Sequence, residues 1–213
     1  VDFISSLFEA GMDVVRLNTA HQSPEDTLKI VKNVRAVSNK IALLLDTKGP
    51  EIRTEDIEQP ITVNKDQEVR IYNSGSKTEG DFAFNVSYNH FIEEMSPGKN
   101  ILVDDGYLDL QVTSKYKNYL VCKANHQGVI KNKKSINVPE SSFNLPSLSE
   151  KDRMYVQFAI EHDIDFIAHS FVRNKKDLMD IQEIVDANNS HVKIIAKIEN
   201  PQGVDNIDEI LDI

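Results

Sequence analysis

Four short stretches constrain this chain more than any other feature. Asp13 to Asn18, Lys40 to Leu45, Asp165 to Phe171 and Val192 to Glu199 read as strands that are apolar along their length and turn polar at the C-terminal end. The polar residues there are Arg16 and Asn18, Asp46 and Thr47, His169 and Ser170, and Lys197 and Glu199. The second stretch is apolar without interruption after its lysine, a pattern that suits a parallel strand buried on both faces. Helical spacing falls between the strands. Phe3 to Ala10 ends at Gly11, and Ser23-Pro24-Glu25-Asp26 opens a helix carrying Leu28, Val31, Val34 and Val37. Further helices are predicted from Ser149 to His162, Lys175 to Asn188 and Val204 to Ile213. Alternating strands and helices predict an α/β fold with a parallel sheet. In such folds ligands bind at the carboxyl ends of the strands, where these polar residues collect.

The pattern breaks between Glu55 and Val138. Short alternating stretches take over at Ile61-Thr62-Val63, Glu68 to Tyr72, Asn100 to Val103, Leu108 to Val112 and Tyr119 to Cys122. Turn residues such as Ser96-Pro97-Gly98-Lys99 and Asp104-Asp105-Gly106 punctuate them. The expectation is a small antiparallel β domain over 55–138, inserted into an α/β domain made of 1–54 and 139–213. A closed eight-stranded α/β barrel needs about 250 residues, and only about 130 lie outside the insertion, so such a barrel could not close within this chain.

Composition narrows the function classes. With 34 acidic against 24 basic residues the net charge is −10, a poor match to non-specific nucleic-acid binding. An anionic substrate stays possible in chemistry, because a few local cations can dominate one cleft. The single cysteine, Cys122, excludes an internal disulfide and a cysteine-based zinc site. No apolar run is long enough to cross a membrane, and Val1-Asp2-Phe3-Ile4 lacks the basic start of a signal peptide. A soluble cytoplasmic protein is the expectation.

Among the candidate residues, Lys197 and Glu199 lie two apart, about 6.6 Å along a strand and on one face. They read either as a simple ion pair or as a metal carboxylate beside a cation that neutralises a phosphate or a developing oxyanion. Asp46 to Thr54 reads as a solvated linker or as a source of oxygen ligands for a hard cation. Arg16 reads as a guanidinium in a central strand, which needs an anion. His21 and His169 read as hydrogen-bonded structural histidines or as site residues. Asp104-Asp105-Gly106 reads as a hairpin turn or a ligand site, and Lys131, Lys133 and Lys134 as a solvated loop or a phosphate-attracting cluster.

Several segments in order resemble pyruvate kinases: Gly11 to Asn18, Leu44 to Thr54 with its Asp-Thr-Lys-Gly-Pro-Glu-Ile-Arg core, Val103 to Gly106, Leu148 to Asp152, Phe166 to Arg173 and Lys197-Ile198-Glu199-Asn200. The resemblance implies strands two to five of a TIM-type (β/α)8 barrel, interrupted by an all-β barrel that acts as a mobile lid. It implies a glycolytic phosphotransferase moving a phosphoryl group from phosphoenolpyruvate to ADP, giving pyruvate and ATP, in a full-length homotetramer. By resemblance, Lys197 would stabilise the transferring group and the enolate oxygen, and Arg16 would clamp phosphate. Glu199 would bind magnesium or manganese, and Asn18, Asp46 and Thr47 would hold potassium. Asn18, His21, Arg53, Lys134 and Asp105 would face the nucleotide. Ala20 stands where the family has a hydroxyl that helps hold potassium, whereas Glu51 is the residue type that accompanies potassium dependence. The family's first strand, its second magnesium carboxylate and its last strands would lie outside these 213 residues, so this piece alone is expected to be inactive. A magnesium-enolate lyase on a similar barrel and a non-enzymatic interaction protein are the rival readings.

Overall fold

A computed structural model describes residues 1–213 apart from Ala20, His21, Lys77, Glu140 and Ser142. The expectation for His21 therefore lies outside the described residues, as does the one for Ala20. The chain divides into two compact units, one made of Val1–Pro50 and Pro146–Ile213, the other of Glu51–Leu145.

The first unit begins with α1 (Asp2–Glu9), β1 (Val14–Asn18), α2 (Pro24–Val37) and β2 (Ala42–Asp46). The start of α2 is set by its sequence: the Ser23 side chain accepts from the Asp26 N–H, and Pro24 occupies the first turn, where its missing donor is not needed. Thr27, Val31 and Val34 then share the buried side of the helix.

The second unit holds β3 (Ile52–Glu55), β4 (Ile61–Val63), β5 (Glu68–Tyr72), β6 (Ala83–Val86), α3 (Phe91–Glu94), β7 (Asn100–Val103), β8 (Leu108–Lys115), β9 (Tyr119–Ala124), β10 (Gly128–Ile130) and β11 (Ser135–Asn137). Seven of these strands close into a barrel in the order β11-β3-β6-β5-β9-β8-β7, while β4 and β10 form a separate antiparallel pair. Closure leaves the barrel no unpaired edge. Alternate side chains fill it: Val69, Ile71, Phe84, Leu110, Leu120 and Cys122 are fully buried. Burial also pushes the Cys122 thiol up, well away from a reactive thiolate. The barrel is not purely antiparallel as expected, because β5 pairs with β6 in parallel. The units meet in sequence at 50/51 and 145/146 because β3 pairs with β6 and β11, and Phe143 and Leu145 pack on the barrel's core.

The chain then returns to the first unit with α4 (Glu150–Glu161), β12 (Phe166–His169), α5 (Lys175–Ala187), β13 (Lys193–Ala196), α6 (Pro201–Asp205) and α7 (Ile207–Leu211). A capping box starts α4, with Ser149 and Asp152 each bonding the other's backbone N–H. The expected single last helix is two, divided at Asn206, whose side chain donates to the Arg173 carbonyl. Strands β1, β2, β12 and β13 form one parallel sheet in that order. Leu17, Leu43, Leu45 and Ile167 of the sheet are buried in one core with residues of α2, α4 and α5. Each such side chain contributes about 1.5–3 kcal/mol by leaving water.

Ser149→Ala removes half of the α4 capping box. The expected cost is about 1 kcal/mol, read as a lower urea midpoint for the unit containing α4.

Candidate active site

Register assembles the site. Asn18 pairs with Asp46, Asp46 with Ala168, and Ala168 with Ile195. Partners across a parallel sheet share a face, so Asn18, Asp46, Ala168 and Ile195 lie in one row, and Arg16 and Leu44 in the row before it. Ser170 and Lys197 follow that face by one step of two. Both fall just past the ends of their strands, as does Glu199, which corrects the expectation that Lys197 and Glu199 belong to β13.

Asp46 is the centre of this row. Its carboxylate is nearly buried, 5% exposed, yet two cations reach it. Arg16 Nε donates to Oδ2 at 2.6 Å, and Nη2 of the same guanidinium also pairs with it. Lys197 Nζ donates to Oδ1 at 3.2 Å. Arg16 thus finds its anion, but on the edge strand β1 and with a side chain 61% exposed rather than buried in a central strand. Lys197 Nζ also lies 3.4 Å from Glu199 Oε1, and the Phe171 N–H donates to Glu199 Oε2 at 3.1 Å. Two cations and two carboxylates therefore sit together at the carboxyl end of one sheet.

Ser170 ties the row together, a role its sequence position alone does not reveal. Its hydroxyl lies 2.7 Å from the Thr47 carbonyl oxygen, 3.2 Å from Asp46 Oδ1 and 2.8 Å from Lys197 Nζ. Gly49, at φ +69°, allows this packing, because a Cβ there would stand 2.2 Å from the Ser170 carbonyl oxygen. His169 is fully buried, and Thr47 Oγ1 lies 2.9 Å from its Nδ1. Burial pushes the imidazole below its usual value, against the pull of Asp152 and Asp177.

The other nucleotide candidates belong to the second unit and gather within it. Arg53 pairs with Glu51 at 2.7 Å, and its Nη1 donates to the Lys133 carbonyl. Lys134 Nζ meets Asp104 at 2.9 Å, and the Ser135 hydroxyl donates to Asp105 Oδ1 at 2.8 Å. Asp104, Asp105 and Gly106 form the β7–β8 turn, all at positive φ.

For a divalent metal, Glu199 offers a partly exposed anionic oxygen oriented by the Phe171 N–H, a fit to magnesium held by one carboxylate with water and substrate oxygens. No cluster of three or more His, Cys, Asp or Glu able to hold a metal occurs among the described residues. The potassium set fits less well. Asp46 already faces two cations, the Thr47 carbonyl accepts from Ser170, and the Thr47 hydroxyl is engaged with Ala168 and His169.

The family model for the pyruvate kinase barrel domain matches residues 1–213. The chain belongs to the pyruvate kinase family. A pyruvate kinase of Borreliella burgdorferi is 50% identical over 210 residues, covering 98% of this chain and 44% of that protein. Pyruvate kinases of Geobacillus stearothermophilus and Staphylococcus haemolyticus are each 41% identical, over 219 and 221 residues, covering all of this chain and 37% of each relative. The chain thus spans less than half the length of these curated pyruvate kinases. No helix among the described residues is long and apolar enough to cross a membrane.

Because the folded His169 resists protonation, its contribution to stability is complete above the unfolded value of about 6.5 and is lost as pH falls below it. Chemical denaturation from pH 7.5 to 5 is expected to show stability falling, and His169→Gln to flatten that fall.

Proposed function

We propose that the full-length protein carrying this chain transfers the phosphoryl group of phosphoenolpyruvate to ADP. The observation that carries this reading is the meeting of Arg16 and Lys197 at Asp46, with Glu199 beside Lys197, at the carboxyl end of the sheet in a chain of this family. In the reaction the bond from phosphorus to the enol oxygen breaks, a bond to a β-phosphate oxygen of ADP forms, and the enolate takes up a proton to become pyruvate. Such transfer leaves the protein mainly positioning and charge neutralisation to supply.

Each residue has a part in that. The Arg16 guanidinium, exposed and steadied through Nε and Nη2 by Asp46, orients the phosphate. The Lys197 ammonium lies where it can meet negative charge as it shifts from the phosphoryl oxygens to the enolate oxygen. Magnesium or manganese, bound through Glu199, would neutralise phosphate and enolate oxygens as a Lewis acid. Asn18, His21, Arg53, Lys134 and Asp105 are assigned to the nucleotide on resemblance, and no step is routed through potassium. A glycolytic, cytoplasmic setting belongs to the same proposal.

The test is pyruvate formation by the full-length protein, followed through a lactate dehydrogenase couple. Lys197→Ala is expected to lower kcat by about 100- to 1,000-fold, the loss typical of one group that stabilises an oxyanion. Absence of pyruvate from the unaltered protein would overturn the reading. Glu199→Gln is expected to weaken manganese binding in calorimetry, whereas unchanged affinity would remove Glu199 from the metal site.

A further inference from the structure

We propose that Ser170 is the positioning residue for Lys197, holding its ammonium in the one orientation that leaves a donor for the substrate. This rests on the reaction proposed above. A serine hydroxyl has one proton and two lone pairs. The Thr47 carbonyl, at 2.7 Å, is the nearer acceptor for that proton, with Asp46 Oδ1 more distant at 3.2 Å. The lone pairs then turn to Lys197, whose Nζ is 2.8 Å away. A lysine side chain is long and flexible, and its ammonium carries three donors. Asp46 and Ser170 take two of them from the buried side of the row. The third is left on the side of Glu199, 3.4 Å away, where it could donate to the enol oxygen.

The hydroxyl is itself fixed from below. Ser170 is nearly buried, and its carbonyl packs so closely on Gly49 that no side chain fits between them. The next residue, Phe171, takes a left-handed φ of +55°, uncommon for a residue with a side chain, and this turn delivers its N–H to Glu199. One turn after β12 therefore sets both members of the Lys197–Glu199 pair, one through a side chain and the other through the backbone. A merely structural serine, holding the Thr47 carbonyl and nothing else, would leave the chemistry of Lys197 unaffected.

The experiment compares unaltered, Ser170→Ala, Lys197→Ala and doubly substituted full-length protein, with Ser170→Thr retaining the hydroxyl. Loss of a hydrogen bond to a charged group is expected to lower kcat by about 10- to 100-fold in Ser170→Ala. KM for phosphoenolpyruvate should change far less, and Ser170→Thr should keep most of the rate. In the Lys197→Ala background the serine substitution should have no further effect, because the group it positions is gone. Acetylation of Lys197 by acetic anhydride, read by peptide mass spectrometry, should speed up in Ser170→Ala as the ammonium loses an acceptor. Unchanged kcat, an equal loss in both backgrounds, or unaltered Lys197 reactivity in Ser170→Ala would each overturn the proposal. If the unaltered protein makes no pyruvate while Lys197 reactivity still rises in Ser170→Ala, the reaction fails and the positioning role stands.

Discussion

Everything at the candidate site depends on the carboxylate of Asp46. Removing an ion of this size from water costs several kcal/mol even after relaxation, so a nearly buried carboxylate must find cations and donors. Asp46 finds them on both sides, from Arg16 on the edge strand and from Lys197 after the fourth strand of the sheet. The arrangement works in both directions. The carboxylate holds the two cations apart, and the cations compensate its burial. Without that anion, two like charges would face each other at the place where an anionic substrate is proposed to bind.

The spacing is a consequence of strand register rather than of local sequence. Parallel pairing from β1 to β13 places residues 16, 46, 170 and 197 on one face, although they are far apart along the chain. Helices α2, α4 and α5 bury side chains together with the sheet, which leaves the polar groups at the strand ends as the groups offered to a ligand. The same ends carry the close approaches, Gly49 against Ser170 and Gly203 against the Val172 carbonyl, where a Cβ would collide with backbone. Backbone approach of that kind lets short side chains such as serine reach partners that a looser packing would leave to water.

The second unit solves a different problem. Short strands of three to eight residues cannot persist alone, and closing seven of them into a barrel pairs every edge around a filled interior. On this frame Arg53, Lys134 and Asp105 each have a partner of their own, Glu51, Asp104 and Ser135. Their charges are therefore oriented by partners within this unit.

Much of this was legible in the chain. Ser23 and Ser149 announce their helices because a cap is a local bond, and β5 and β7 match their expected limits because alternation with flanking turns is also local. Strands β3, β6, β10 and β11 were not expected, although the equally short β4 and β7 were; pairing with distant strands defines them. Polar residues at the ends of apolar stretches pointed to Arg16, Asp46, Lys197 and Glu199, since a charged group beside a buried strand needs a reason. No spacing along the chain could say that Lys197 meets Asp46, that His169 turns into the core while Ser170 joins the row, or that Phe171 lends its N–H to Glu199. Those facts follow from register and from the turn after β12, and both come into being only when distant strands pair and their faces are buried together.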